Sequence, residues 1–240
     1  MALSAADVVV TMSQAAAAEL ALRFPKIHER VVVIPNGFDP DDMPRDRGRP
    51  DHFIITYTGS LGEARDPRPL LRALASIMAT DASFAAALQM RLVGNVDAEI
   101  AAASRGALGK DRVHVDGLMP HRDALEIAAG AAVLLAITTT VEAGGAGLTS
   151  KLFEYLGLRR PILLLAPPGP ARDLVTALRA GEIAEPDDEA AIERAVRRLY
   201  QAWRSDHESL ARSNDVNQLT RIHTAAKMAD ALESARARKN

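Results

Sequence analysis

The sequence predicts an α/β protein built on a doubly wound parallel sheet, with a helical extension at its C-terminal end. Three observations carry that expectation. From Phe53 onward, short β-rich runs alternate with alanine- and leucine-rich segments of about ten residues, the pattern of βαβ units. The strand-like runs, such as Phe53-Ile54-Ile55-Thr56-Tyr57 and Ile162-Leu163-Leu164-Leu165, are apolar throughout rather than at alternate positions, as strands covered on both faces are. Glycine and proline punctuate the connections between them.

Taken in order, residues 7–12 read as a buried strand and residues 13–23 as a helix with Ser13 at its N-cap. Residues 31–34 form another strand, which runs into the strong turn signal Pro35-Asn36-Gly37. Residues 39–51, rich in Pro, Asp and Arg, read as an exposed linker and a domain boundary. Strands are then expected at 53–57, 89–93, 113–115, 132–137 and 161–165. The intervening helices fall at 67–79, 97–106, 121–129, 150–158 and 171–179. From Glu189 the chain turns helical. Its last helix, around 218–235, is too long to cap the sheet and is expected to leave it. The chain thus divides into residues 1–50, a sheet domain over 51–205, and a final crossover helix over 206–240.

Composition narrows the function classes. Hydrophobic residues make up 48% and charged residues 25%, the balance of a soluble globular protein. Aromatics are only 4%, so the core must rest on Ala, Leu, Val and Ile. A formal net charge of −2 gives no electrostatic footprint for nucleic acid. The absence of cysteine excludes disulfides, thiolate nucleophiles and thiolate-bound metals, and fits a reducing compartment. No apolar run has the length of a transmembrane helix, and the first residues lack the basic start of a secretory signal. The expected location is the cytoplasm.

Ligands of doubly wound sheets sit beyond the carboxyl ends of the strands, where the strand order reverses. The loop after the first strand of the sheet domain reads Thr58-Gly59-Ser60-Leu61-Gly62, with Arg65 close behind. Its glycines let backbone approach a ligand, the next helix, starting near Asp66 or Pro67, would offer free N–H groups, and Arg65 would add a forked cation. Taken alone, these features suit any βα turn. Three glycines (Gly144, Gly145, Gly147) then lead through Leu148 to a helix capped by Thr149 or Ser150 and carrying Lys151 and Glu154 in its first turns. Bare N–H groups and Lys151 there suit a diphosphate, and a carboxylate one turn in suits a ribose diol. Against this stands a solvated first-turn acid on a flexible loop; the cost in chain entropy of so many glycines favours the functional reading. The third loop, Ala166-Pro167-Pro168-Gly169-Pro170, reads as a rigid connection.

The runs VVVIPNGFDPDDM (31–43), YTGSLGEARDPRPLLRAL (57–74), RLVGNVD (91–97) and LTSKLFEYLGLRRPILLLAPPGPARDLV (148–175) resemble the C-terminal, donor-binding half of family 4 (group 1) GT-B glycosyltransferases. The resemblance extends over about the last four-fifths of the chain, with the IPNG turn and the KLFEYL helix as its most specific pieces. It implies a Rossmann-like donor domain and transfer, with retention, of a sugar from a nucleoside diphosphate sugar to an unidentified acceptor. It places Glu154 at the second glutamate of the E-x7-E motif, a ribose ligand. Arg65 stands where the family has a diphosphate-binding lysine, Gly59 is the loop glycine, and Asn36-Gly37 lies in the interdomain hinge. The implied diphosphate contacts are the backbone of Gly59, Ser60, Gly147, Leu148 and Thr149 with the side chains of Arg65 and Lys151; main chain around Val115, Gly117 and Leu118 would line the base. Two positions depart from the family: Ala146 stands where the first glutamate contacts the sugar, and Ser60 where an arginine follows the loop glycine. Residues 1–50 resemble only the end of an acceptor domain plus the hinge, so the acceptor half is expected to have been removed or to lie on another polypeptide.

Other chemistries find less support. Asp39-Pro40-Asp41 fits a loose metal-binding pattern but sits among linker acids, and no metal or other cofactor is expected. His28, His52, His114, His121, His207 and His223 show no metal-ligand spacing, with His121 read as a helix start. There is no G-x-S-x-G elbow for a hydrolase. The basic residues of the last helix read as a solvated face, with contact to an anionic membrane surface as the lesser alternative. A strand at 7–12 without its parent sheet would invite homodimerisation. The alternative functions are a nucleotide-binding module without turnover of its own and, ranked below it, a nucleotide-sugar epimerase.

Overall fold

The computed structural model describes residues 2–138, 148–205 and 214–238. The chain opens on a short helix α1 (Ala2–Ala5), strand β1 (Val9–Thr11), helix α2 (Gln14–Arg23) and strand β2 (Val31–Val33). Ser13 caps α2 as its position predicts, its Oγ accepting the Ala16 N–H at 3.2 Å. β1 and β2 pair in parallel as a two-stranded sheet. The expectation of a buried strand over 7–12 is corrected: three residues are extended, Val9 and Thr11 are buried, and Val10 and Met12 are 37% and 40% exposed. With β2 as its only neighbour among the described residues, β1 has one face to bury and reads out as an alternating strand.

The second sheet has six strands, all parallel: β3 (Phe53–Thr58), β4 (Leu88–Val93), β5 (Val113–Gly117), β6 (Val133–Ile137), β7 (Ile162–Leu165) and β8 (Gly181–Ala184). Their spatial order is β5-β4-β3-β6-β7-β8, so the winding direction reverses between β3 and β6. Side chains of β6 and β7 go alternately to the two faces. Leu135, Ile137, Leu163 and Leu165 join one apolar cluster, and Leu134, Ala136, Ile162 and Leu164 the other. All four β7 residues are at most 1% exposed, and burying one such side chain contributes about 1.5–3 kcal/mol.

Helices α3 (Arg68–Thr80), α4 (Ala82–Ala87), α5 (Ala98–Leu108) and α9 (Glu189–Arg204) pack on the first face. Helices α6 (His121–Ala129), α7 (Ser150–Gly157) and α8 (Pro170–Ala177) contribute to the second. The scarce aromatics are gathered on the first face: Tyr200 meets Phe84 at 5.0 Å, Phe53 at 5.3 Å and Trp203 at 5.7 Å between ring centroids. This cluster also anchors the linker, since Trp203 donates to the Pro50 carbonyl at 3.3 Å and the Arg49 guanidinium lies 4.7 Å from the indole. Asp46 pairs with Arg160 at 2.9 Å and Arg47 with Glu126 at 2.5 Å. The linker is therefore laid along the domain by alternating charges.

One strand and one α-helix of the sheet domain escaped the sequence. β8 begins on Gly181, where a side chain would come within 2.0 Å of the Ile162 carbonyl oxygen, so the strand pairs only because the position is glycine. Asp81 ends α3 and restarts the chain as α4, accepting the Phe84 N–H at 2.9 Å.

The last helix, α10 (Arg221–Ala237), leaves the six-stranded sheet as expected. It is tied to the hinge: Phe38 N–H donates to the Leu219 carbonyl at 3.0 Å and Arg221 N–H to the Phe38 carbonyl at 2.8 Å. A Cβ at Gly37 would stand 2.5 Å from that Leu219 oxygen, which explains the glycine of the IPNG turn. α10 buries small residues rather than large apolar ones: Ala231 and Ala235 are buried, whereas Ile222 and Leu232 are 72% and 56% exposed. Among the described residues, no helix is long and apolar enough to cross a membrane.

Candidate functional site

The carboxyl ends of β3, β4 and β5 are brought together by three glycines with positive φ: Gly59 (+112°), Gly94 (+117°) and Gly117 (+68°). Gly59 N–H donates to the Val93 carbonyl at 2.7 Å and Gly94 N–H to the Gly117 carbonyl at 2.8 Å. A Cβ at Gly94 would lie 2.4 Å from the Gly59 oxygen, so the two loops touch backbone to backbone. On its other side Gly59 faces α7, where a Cβ would meet the Lys151 Nζ at 2.8 Å.

Two tyrosines hold this arrangement. Tyr57, buried at the end of β3, donates to the Ser60 carbonyl at 2.7 Å and offers its ring to the Lys151 ammonium, 3.8 Å from the centroid. Tyr155, buried in α7, accepts the Thr58 N–H at 3.0 Å and shares a hydrogen bond with the Thr58 hydroxyl at 3.1 Å. Burial pushes the Tyr155 phenol above its ordinary range, against the opposing pull of the Thr58 hydrogen bonds. The group is therefore a neutral buttress between sheet and helix.

Between these parts lies a cleft of about 250 Å³, lined by Gly59, Ser60, Arg65, Thr138, Thr149 and Lys151 among others. Thr149 is the N-cap of α7, and its side chain makes no capping hydrogen bond. The first turn of α7, with its positive dipole end and Lys151, thus opens toward the cleft. The loop beyond β3 differs from expectation. A 3₁₀ turn (Glu63–Arg65) intervenes, α3 starts at Arg68, and the Asp66 carboxylate accepts the Arg68 N–H at 2.9 Å. The first turn of α3 thus has an acid on its Arg68 N–H, whereas at α7 the Thr149 side chain makes no capping hydrogen bond.

The structure brings Gly59, Ser60, Arg65, Thr149 and Lys151 to one cleft. The Leu148 side chain is 9% exposed and packs in the second apolar cluster, so a ligand would meet this residue through its backbone, as the sequence implied. Gly147, with Gly144, Gly145 and Ala146, lies outside the described residues. Glu154 stands one turn further along α7, its side chain 20% exposed, and its Oε1 is 3.6 Å from the Nε2 of His121. His121 opens α6, the role read from the sequence, but its proximity to Glu154 comes only from the fold. Val115 packs against the first cluster, Gly117 ends β5, and Leu118 beyond it is 83% exposed. Tyr57 and Gly94 also went unrecognised; an apolar strand end and a lone glycine carry no distinctive sequence signal.

Asp39 of the loose metal pattern caps a 3₁₀ turn (Pro40–Asp42), accepting the Asp41 N–H at 3.1 Å. Among the described residues no group of three His, Asp or Glu side chains is placed to hold a metal ion.

Comparison with solved structures places this fold among glycosyltransferases. A glycosyltransferase from Rickettsia africae superposes with a TM-score of 0.74 at 12% identity, over 95% of this chain and 63% of its own. Anabaena HepE in complex with UDP and glucose superposes at 0.72 with 17% identity, over 95% and 63%. Sucrose-phosphate synthase from Thermosynechococcus elongatus superposes at 0.69 with 20% identity, over 98% and 60%. The chain therefore spans less than two thirds of the length of each of these structures, and the likeness at such identities is one of fold. No curated protein matches the sequence. Residues 52–202, the six-stranded sheet domain through α9, match the family model "Glycosyl transferases group 1", and on that match over more than half of its length the chain belongs to the group 1 glycosyltransferase family.

Proposed function

We propose that this chain is the donor-binding half of a glycosyltransferase that transfers a sugar from a nucleoside diphosphate sugar to an acceptor, with retention at the transferred centre. The observation that carries the reading is the convergence of Arg65, Lys151 and the open first turn of α7 on one cleft at the strand-order reversal. Departure of a nucleoside diphosphate concentrates negative charge on its β-phosphate. Two cations and a helix N-terminus fixed around that position would lower the barrier by meeting charge as it develops. Gly59, through its missing side chain, lets backbone approach the phosphates, with the main chain of Ser60, Leu148 and Thr149 as further donors; Gly147 is assigned to the same group by the family resemblance alone. Glu154 would accept hydrogen bonds from the ribose, and main chain near Gly117 and Leu118 would line the base, with Val115 shaping that strand from the core side. No metal enters this scheme, because the charge neutralisation is assigned to Arg65 and Lys151. The fold relative HepE holds UDP and glucose in its structure, and that supports the same class of donor here.

Ala146 favours a second reading. Where the related enzymes place a sugar-contacting glutamate, this sequence has a methyl group. A chain that binds nucleotide and leaves turnover to a partner or to a separate acceptor domain is consistent with that change. Calorimetry with UDP, GDP and ADP tests the donor site, and release of nucleotide from the corresponding sugar donors separates the two readings. A folded sample that binds none of the three refutes both. Binding without donor consumption, alone and with an added acceptor domain, leaves the binding module.

A further inference from the structure

His121 has no task in the scheme above, yet its place is unusual. It is the first residue of α6 and follows shortly after Leu118, its side chain is 60% exposed, and its Nε2 is 3.6 Å from Oε1 of Glu154. The two residues come from different βα units, so only the assembled fold puts them together. Helix formation does not demand an imidazole there: Pro120 occupies the N-cap and Asp123 supplies the acid that a first turn favours. On α7, Lys151 and Glu154 are three residues apart and therefore share a helix face. The cleft cation, the acid and the imidazole thus follow one another toward the end of β5.

We propose that His121 positions the Glu154 carboxylate for a vicinal diol, and thereby sets the preference of this site for ribonucleotides. The inference rests on Glu154 being the ribose ligand. A carboxylate offers about four lone-pair sites, and a ribose diol uses two. A ring N–H approaching Oε1 from α6 fixes the plane of the carboxylate while leaving lone pairs for both hydroxyls. At 3.6 Å the contact is longer than a hydrogen bond, and closing by about 0.6 Å would form one as the diol engages. Without the imidazole, Glu154 must lose its side-chain freedom at each binding event, which corresponds to an affinity loss of about 3- to 10-fold.

The test is calorimetry on the full chain with whichever of UDP, GDP or ADP binds, and with its 2′,3′-dideoxy analogue. His121→Ala is expected to weaken the ribonucleotide about 3- to 10-fold and leave the dideoxynucleotide unchanged. His121→Gln, which restores an N–H donor near the position of Nε2, is expected to recover most of the loss. In a Glu154→Gln background His121→Ala should make no further difference. Equal losses for both nucleotides, or no loss for either, overturn the inference while the donor site stands. If His121→Ala does not fold, His121→Leu, which keeps bulk without a donor, carries the comparison with the same expectation, and equal losses for both nucleotides or no loss for either overturn it. Failure of the wild type to bind any of the three nucleotides removes the donor site itself and this inference with it.

Discussion

Replacing Gly94 or Gly59 with alanine separates the architecture of the cleft from its chemistry. Both residues have φ well into the positive range, +117° and +112°, where a β-carbon costs about 1–3 kcal/mol. At Gly94 the new methyl would lie 2.4 Å from the Gly59 oxygen and 2.9 Å from its carbonyl carbon. These are backbone atoms, so relief requires moving a loop that is held by the 2.7 Å bond from Gly59 N–H to Val93. Overpacking of this kind costs about a further 1–3 kcal/mol, for a total of about 2–6. At Gly59 the methyl would lie 2.8 Å from Lys151 Nζ, the end of a flexible side chain that can swing aside. Stability then falls only by the backbone cost of about 1–3 kcal/mol, while the ammonium leaves its place over Tyr57. Urea unfolding and nucleoside diphosphate calorimetry on both variants measure the two quantities. Gly94→Ala should lose more stability; Gly59→Ala should lose more affinity than its stability change accounts for. A Gly94→Ala variant within about 0.5 kcal/mol of the wild type, or a Gly59→Ala variant with unchanged affinity, refutes this account.

Three further outcomes are expected. Tyr155→Phe removes the acceptor of the Thr58 N–H and should destabilise by about 1–2 kcal/mol, read as a lower denaturant midpoint at unchanged m-value. Thr56 is fully buried on β3 and its hydroxyl has no hydrogen-bond partner among the described residues, so Thr56→Val should raise the melting temperature by relieving about 1–3 kcal/mol of desolvation; a lower one would reveal that the hydroxyl is satisfied. The Glu193 carboxyl is held below its ordinary range chiefly by the Arg197 hydrogen bond, helped by that of Ser76 and opposed by desolvation. Its contribution is therefore present above the unfolded-state pKa and lost as pH falls through the lower folded-state value. Glu193→Gln should cost about 0.3–0.5 kcal/mol at neutral pH and nothing once pH is below that folded value, measured by urea titration at both.

Much of the fold was legible because its physics is local and repetitive. β7 sends all four side chains into protein, so it appears in the sequence as an unbroken apolar run. Ser13 and Pro170 announce helix starts through chemistry that acts within three residues. What stayed hidden depends on partners far along the chain. β8 reads Gly-Glu-Ile-Ala and becomes a strand through pairing with β7. β1 looked like a buried strand because a short valine run is equally apolar whether it has one covered face or two. The same division runs through the site. Gly59, Arg65 and Lys151, which the fold brings to one cleft, stand out in the sequence because glycine loops and cations near helix starts have a recognisable pattern. His121 was not, since its meeting with Glu154 joins two βα units and leaves no spacing to read.

The proposed scheme puts the phosphates at α7 rather than α3, and what caps each helix supports that choice. Both begin beyond strands at the reversal point and both bring a cation, and the sequence leans to α7 through the three glycines before it. At α3 the Asp66 carboxylate occupies the Arg68 N–H and lies 3.4 Å from the Arg68 guanidinium. A phosphate arriving there would have to displace a tethered anion and would be repelled by it. At α7 the cap is the neutral Thr149, whose side chain makes no capping hydrogen bond, and the first turn carries no acid. Among the described residues, a phosphate there meets the positive end of the helix dipole with no tethered carboxylate to displace from the first turn. Tyr155 and Tyr57 then explain why the helix can be held in that state: they fix α7 to β3 through Thr58 and fix the β3 loop through Ser60, so the open terminus does not depend on a ligand for its position.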